Sequence, residues 1–286
     1  MKRFISFFLL LILLCGNITS AQKRLFYLDF SVENDKNEPI TRLKAENIRL
    51  LDKDKPKEVK VFQNANVPMS VGVLVDVSPS MRHNNRNSKV NRIDWARIAI
   101  LNFIEKSRSD NEYFVMSFGD EAVLLTDFTN NLEAKKVVED PSEFKSRKGG
   151  VTRLYDALAS SIEKAGKAKN DKKVLFIITD GQDYGSSSHI SKIEQLLKEN
   201  LVTVNFMAVH DRDNAFGLLM LNQREDEMKK LAKISGGWVL NSTKMEHCLT
   251  ISSWLASMLQ HQYRIGFEAD SNETRGWRNL KIDLRL

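Results

Sequence analysis

The sequence predicts an α/β protein with a doubly wound, mostly parallel sheet and a small β-sandwich-like accessory domain built from its N- and C-terminal strands. Three observations carry this. From residue 70 to about 262, short apolar runs alternate with segments whose apolar residues recur at helical spacing. The runs 70–77 (SVGVLVDV) and 173–179 (KVLFIIT) are apolar almost throughout, as expected for strands covered on both faces. The two flanks are strand-like and charge-rich, and neither could easily make a core alone.

Residues 1–21 read as an export signal. Lys2 and Arg3 give the positive start, 4–15 is nearly all Phe, Leu and Ile, and Thr19-Ser20-Ala21 offers small residues for cleavage. The apolar core is shorter than the ~20 residues of a spanning helix. The expectation is a periplasmic or secreted protein, attached to a membrane only if this segment is retained. Cys15 falls inside it, so cleavage leaves Cys248 alone, without an intramolecular disulfide and most simply as a buried free thiol.

Residues 22–67 form the first part of the accessory domain, with turns at Asn34-Asp35-Lys36-Asn37 and Lys53-Asp54-Lys55-Pro56. The α/β domain is placed at 68–262. After the strand 70–77 comes a helix over 93–107, with Ile93, Ala96, Ile100, Phe103 and Ile104 on one face. Strands 113–118 and 122–125 make a hairpin at Gly119-Asp120. A helix follows over 154–168, then the strand 173–179, a helix over 190–199 and a strand over 202–209. The apolar stretch 216–221 is read as loop. A helix over 225–234 ends at Gly236-Gly237, where glycine suits a left-handed turn. A brief strand at 239–240 and a helix over 246–259 complete the domain. Residues 263–286 add strands at 263–268 and 277–284, which close the accessory domain. Trp95, Trp238, Trp254 and Trp277 are expected to pack in cores.

The chain has 286 residues, 42% hydrophobic and 28% charged, an ordinary globular balance. Its formal net charge is +6, of which Lys2 and Arg3 supply two, so the mature chain is only mildly basic. No nucleic-acid motif is present, and no Gly-x-Gly-x-x-Gly follows a strand.

Three separated segments carry chemistry. Asp76-Val77-Ser78-Pro79-Ser80 follows the first apolar strand, Gly149-Gly150-Val151-Thr152-Arg153-Leu154 enters a helix, and Thr179-Asp180-Gly181 ends the second apolar strand. Ligands of open α/β sheets bind beyond the carboxyl ends of strands, so the three should converge. Together they bring the carboxylates of Asp76 and Asp180 and the hydroxyls of Ser78, Ser80 and Thr152. This is an oxygen donor set suited to one divalent cation, Mg²⁺ foremost, with Mn²⁺ or Ca²⁺ also compatible. The motifs contain no His or Cys, which argues against zinc. They offer no nucleophile, general base or leaving-group acid, which argues against an enzyme. A dehalogenase-type phosphatase would want a second Asp where Ser78 stands.

Asp-x-Ser-x-Ser, then Thr, then Thr-Asp-Gly resembles the metal-ion-dependent adhesion site of von Willebrand factor A and integrin inserted domains, over roughly residues 68–262. The stretches GGVTRLYDAL (149–158) and LFIITDGQD (175–183) fit as well. The resemblance implies that Ser78 and Ser80 bind the ion directly and that Thr152 does so in the high-affinity state. It implies that Asp76 and Asp180 act mainly through waters. Residues 59–76 and 262–284 resemble bacterial exported "VWFA-related" proteins. Pro79 departs from the usual Gly and should stiffen the loop. No acidic pair follows Ser80, so a single ion is expected. The function implied is an exported adhesion or protein-interaction module that binds an acidic residue of a protein ligand, with no small-molecule substrate and no nucleic acid. The alternative is a cell-envelope structural or assembly factor whose ion mainly stabilises the fold. Arg82, Arg86, Lys89, Lys148 and Arg153 would form a basic rim that steers acidic partners.

Overall fold

The computed structural model of the protein describes residues 5–7, 24–82, 90–145, 150–209, 215–269 and 280–285, with backbone alone at 5–7, 24, 215–224 and 269. The chain divides into two compact units, Val67–Ser257 and Met1–Asn66 with Met258–Leu286.

The larger unit is the α/β fold that the sequence predicts. Its strands are β6 (Met69–Asp76), β7 (Glu112–Phe118), β8 (Ala122–Thr129), β9 (Lys172–Thr179), β10 (Val202–Val209) and β11 (Val239–Ser242). They lie side by side in the order β11-β10-β9-β6-β7-β8. Every pairing is parallel except β7 with β8, the hairpin turned at Gly119-Asp120. All eight residues of β6 and all eight of β10 are buried, which explains their lack of polar alternation.

The helices are α1 (Arg92–Lys106), α2 (Asn131–Glu139), α3 (Leu154–Gly166), α4 (Ile190–Asn200), α5 (Ala215–Ser235) and α6 (Met245–Gln260). One core gathers Leu158 and Ile162 of α3, Ile193 and Leu197 of α4, and Leu231 of α5 over Leu74, Leu175, Ile177 and Val204. Successive strand residues face opposite sides. The ring of Phe176, between Leu175 and Ile177, therefore meets the other face, where it lies 5.2 Å from Phe103 of α1. Asn102 of α1 donates to Ser252 and Ser253 of α6, at 2.8 and 2.7 Å, so these two helices share that face. Trp95 is buried, and Trp238 meets Trp254 edge to face at 5.3 Å. Trp277 lies outside the described residues. Burial pushes the Cys248 thiol up to about 11, and the thiol is free.

Two readings need correction. The apolar stretch 216–221 is not a loop, because α5 begins at Ala215, ten residues ahead of the expected start. Its apolar residues are consecutive, which carries no period to distinguish helix from loop. Helix α2 was not foreseen. Only Ala134 and Val138 are buried along it, a one-sided contact too narrow to stand out among charged neighbours. Its start is marked by Asn130, whose side chain accepts from Leu132 and Glu133 amides at 2.9 and 3.1 Å. Helix α5 ends as expected, with Gly236 at φ 78°.

Among its described residues, the regular structure of the second unit is all strand, apart from one short helical turn and the last residues of α6. Strands β2 (Arg24–Val32), β12 (Tyr263–Ala269) and β5 (Val59–Asn64) form an antiparallel sheet, to which β1 (Ile5–Phe7) adds at the β2 edge. Strands β13 (Leu280–Leu284), β3 (Ile48–Asp52) and β4 (Lys55–Lys57) form another. The turn between β3 and β4 uses positive φ at Lys53 and Asp54. Phe26, Leu28, Phe30, Ile265 and Phe267 are buried in the first sheet, and Arg264 pairs bidentately with the buried Asp29 at 2.6 and 2.7 Å. Among the described residues, no helix is long and apolar enough to cross a membrane.

Candidate metal-binding site

The site lies where the sheet's winding reverses. From β6 the chain passes through α1 to β7 on one side, and from α3 it enters β9 on the other. Strands β6 and β9 are parallel neighbours with Val75 opposite Ile178, so Asp76 and Thr179 leave the same edge together.

Asp76 is fully buried and fixed from both sides. Its Oδ1 accepts the Ser78 amide at 2.9 Å, and its Oδ2 accepts the Thr179 hydroxyl at 2.7 Å. The Thr179 hydroxyl accepts the Gly181 amide in turn, at 3.0 Å. The Ser78 and Ser80 hydroxyl oxygens lie 3.1 Å apart, with Ser78 buried and Ser80 half-buried. Pro79 opens a short 3-10 turn over Pro79–Arg82, a position that its fixed φ suits. The Met81 amide closes that turn on the Ser78 carbonyl at 3.1 Å, with the Met81 side chain buried. The Val77 amide bonds the Phe118 carbonyl at 2.8 Å, and the Arg92 guanidinium donates to the Ser80 carbonyl at 3.2 Å.

Thr152 is buried on the turn into α3. The Arg153 amide donates to the Gly119 carbonyl at 2.9 Å, the Val151 amide to Asp120 Oδ1 at 3.1 Å, and the Tyr184 amide to the Thr152 carbonyl at 2.8 Å. Asp180 is buried as well, and its two oxygens accept the Gln182 amide and side chain at 3.2 and 2.9 Å.

Burial, and after it the charge of Asp180, pushes the Asp76 carboxyl up to about 7, against the hydrogen bonds from Ser78 and Thr179. Among the described residues no lysine or arginine forms a salt bridge with Asp76 or Asp180. Two buried carboxylates close together without a counter-charge are costly, and a cation offsets that cost. Among the described residues no three His, Cys, Asp or Glu side chains gather as a metal cage, so a cation held here would need hydroxyl oxygens beside the two carboxylates.

Residues 71–182, a span that includes Asp76, Ser78, Ser80, Thr152 and Asp180, match the family model described as von Willebrand factor type A domain. The chain carries a von Willebrand factor A-type domain. Solved structures share its fold. The BatB protein of Bacteroides thetaiotaomicron is 17% identical, with a TM-score of 0.52, covering 67% of this chain and 98% of its own. A von Willebrand factor type A protein of Catenulispora acidiphila is 12% identical, with a TM-score of 0.53, covering 89% of this chain and 67% of its own. Proximal thread matrix protein 1 of the mussel byssus, solved with a zinc-occupied MIDAS motif, is 16% identical, with a TM-score of 0.52, covering 73% of this chain and 49% of its own. No curated protein matches the chain.

The rim of the A-type domain is only partly described. Arg82 and Arg153 are exposed, and Arg153 lies 3.9 Å from the Asp156 carboxylate. Arg86, Lys89 and Lys148 lie outside the described residues, as does the run His210-Asp211-Arg212-Asp213. Sequence reasoning missed the residues that brace the site. Thr179 was visible beside Asp180 but was not recognised as the partner of Asp76. Asp156, Gln182 and Asp183 stand in the stretches that fit the resemblance, but what they and Asp120 hold becomes apparent only in the folded chain.

Proposed function

We propose that the A-type domain binds one divalent cation through Asp76, Ser78, Ser80, Thr152 and Asp180, and through it a carboxylate of a protein partner. The observation that carries this is the pair of buried carboxylates at the reversal point of the sheet, with the two serine hydroxyls 3.1 Å apart beside Asp76. Ser78, Ser80 and Thr152 would supply hydroxyl oxygens, and Asp76 and Asp180 the negative charge. When bound, a hard cation with neutral oxygen ligands supplies an electrophilic position that an acidic side chain can fill.

The hydroxyl that Asp76 accepts, that of Thr179, is fully buried and out of a substrate's reach, so the reading is a binding module and not an enzyme. Mg²⁺ suits the oxygen donors best. The zinc in the mussel protein shows that a motif of this kind also accepts that ion, so zinc belongs in the test. The export signal read from the sequence of residues 1–21 supports the periplasm or the cell exterior as the setting.

Calorimetric titration of the full chain with Mg²⁺, Mn²⁺, Ca²⁺ and Zn²⁺ tests the site. One ion should bind per chain, and Ser78→Ala or Asp180→Ala should abolish that binding while circular dichroism remains native. Unchanged affinity in both variants sinks the assignment. Affinity capture from an envelope extract, with and without EDTA, tests the partner. Capture that persists in EDTA would favour the reading in which the ion mainly supports the fold.

A further inference from the structure

The turn that carries Thr152 and the loop that follows Asp180 are fastened together along their length. The Tyr184 amide bonds the Thr152 carbonyl at 2.8 Å. Asp183 Oδ1 accepts the Tyr155 amide at 3.2 Å and the Ser186 hydroxyl at 2.6 Å, and the Ser186 oxygen accepts the Asp156 amide at 3.1 Å. The Asp156 carboxylate returns the contact. It accepts the Ser187 amide at 3.0 Å, the Ser187 hydroxyl at 3.1 Å and the Ser188 amide at 2.9 Å.

Helix α3 has no side-chain cap of its own at Arg153. Its first-turn amides are satisfied instead by a segment about thirty residues away in sequence. A helix could be capped by one local Ser or Asp. The reciprocal arrangement does more, because it fixes the distance between Thr152 and the segment bearing Asp180.

We propose that Asp156 and Asp183 are positioning residues for the cation site, holding the Thr152 turn and the Asp180 loop as a single body. This rests on the metal-binding reading above. Neither residue need touch the ion. Each sets where the Thr152 hydroxyl stands relative to Asp180, as outer partners set the orientation of ligands in other metal sites. Gly185 extends the argument. It lies between the two sets of bonds at φ 146°, and a Cβ there would come within 2.8 Å of Val151 Cγ1, next to Thr152.

The test is Mg²⁺ and Mn²⁺ affinity of the full chain, measured by calorimetry at a temperature where each variant is folded. The variants are Asp156→Ala, Asp156→Asn, Asp183→Ala and Gly185→Ala. The control is Asn130→Ala, which removes the cap of α2. Loss of an outer partner typically weakens metal binding by about 10- to 100-fold. Asp156→Ala and Asp183→Ala should fall in that range. Asp156→Asn should lose less, since its amide oxygen keeps one acceptor, and Asn130→Ala should bind as the wild type does. Without any ion, amide exchange at Tyr184 should quicken in Asp156→Ala and stay unchanged in Asn130→Ala. Should Asp156→Ala fail to fold, Asp156→Asn and Gly185→Ala carry the same comparison. Folded variants that bind the ion like the wild type would reduce Asp156 and Asp183 to an ordinary helix cap and overturn the proposal. A wild-type chain that binds no ion would overturn the metal-binding reading first, and this proposal with it.

Discussion

The two halves of the candidate site are held at different ranges. Asp76, Ser78 and Ser80 are joined by bonds two residues apart in sequence. The Thr152 and Asp180 segments are joined by bonds 28 to 32 residues apart. The first half is bonded chiefly within its own five residues, with Thr179 and Arg92 adding one contact each from outside. The second exists only once α3 and β9 have packed. A short-range arrangement is written in one stretch of sequence and survives distant damage. A long-range one depends on the fold and should fail with it.

Substitutions that separate the halves test this contrast. The largest effect is expected at Thr179, which joins them by donating to Asp76 and accepting from Gly181. Thr179→Val keeps the shape but strands a buried carboxylate oxygen and an amide, at a cost of about 2–3 kcal/mol in urea unfolding. A loss below about 1 kcal/mol would show that the halves do not depend on this joint.

Next comes acid. Burial pushes the Asp156 carboxyl up, but the hydrogen bonds from Ser187 and Ser188 outweigh it and hold the group down at about 2, against an ordinary 3.8. A depressed carboxylate contributes stability above its unfolded value and loses it as pH falls through the folded one. Between pH 4 and 2 the wild type should therefore lose up to about 2 kcal/mol that Asp156→Asn does not lose, reduced by the partial exposure of the group. Parallel unfolding curves for the two proteins across that range would refute the long-range half of the contrast.

A smaller change is expected in the local half. Arg92→Gln removes a charged donor from the Ser80 carbonyl and should cost about 1 kcal/mol by thermal unfolding, without quickening amide exchange at Tyr184. The smallest effect belongs to a pair remote from both halves. Asp110→Ala breaks its contact with Arg108, which is largely solvated, and should change stability by less than about 0.5 kcal/mol.

The same contrast explains what could be read in advance. Strands β6 and β9 were legible because their residues are apolar nearly throughout, and the hairpin because Gly119-Asp120 interrupts two short runs. Asp76, Ser78, Ser80 and Asp180 stand in short motifs whose chemistry is apparent locally. Helix α2 and the first ten residues of α5 were not legible, the one because its buried stripe is two residues wide and the other because its apolar run lacks a period. Asp156 and Asp183 look like surface acids on a helix and a loop. Nothing within their own stretches tells that the groups they bond lie on another element.

The placement of β12 has a consequence for how the chain is made. Tyr263–Ala269 lies between Arg24–Val32 and Val59–Asn64, and Arg264 completes Asp29 from 235 residues downstream. At a synthesis rate of ~5–20 residues per second, that interval is about 10 to 50 s. For its duration the early strands have been translated while their central partner has not, so a nascent chain arrested before residue 263 presents two sheet edges that any extended segment nearby could occupy.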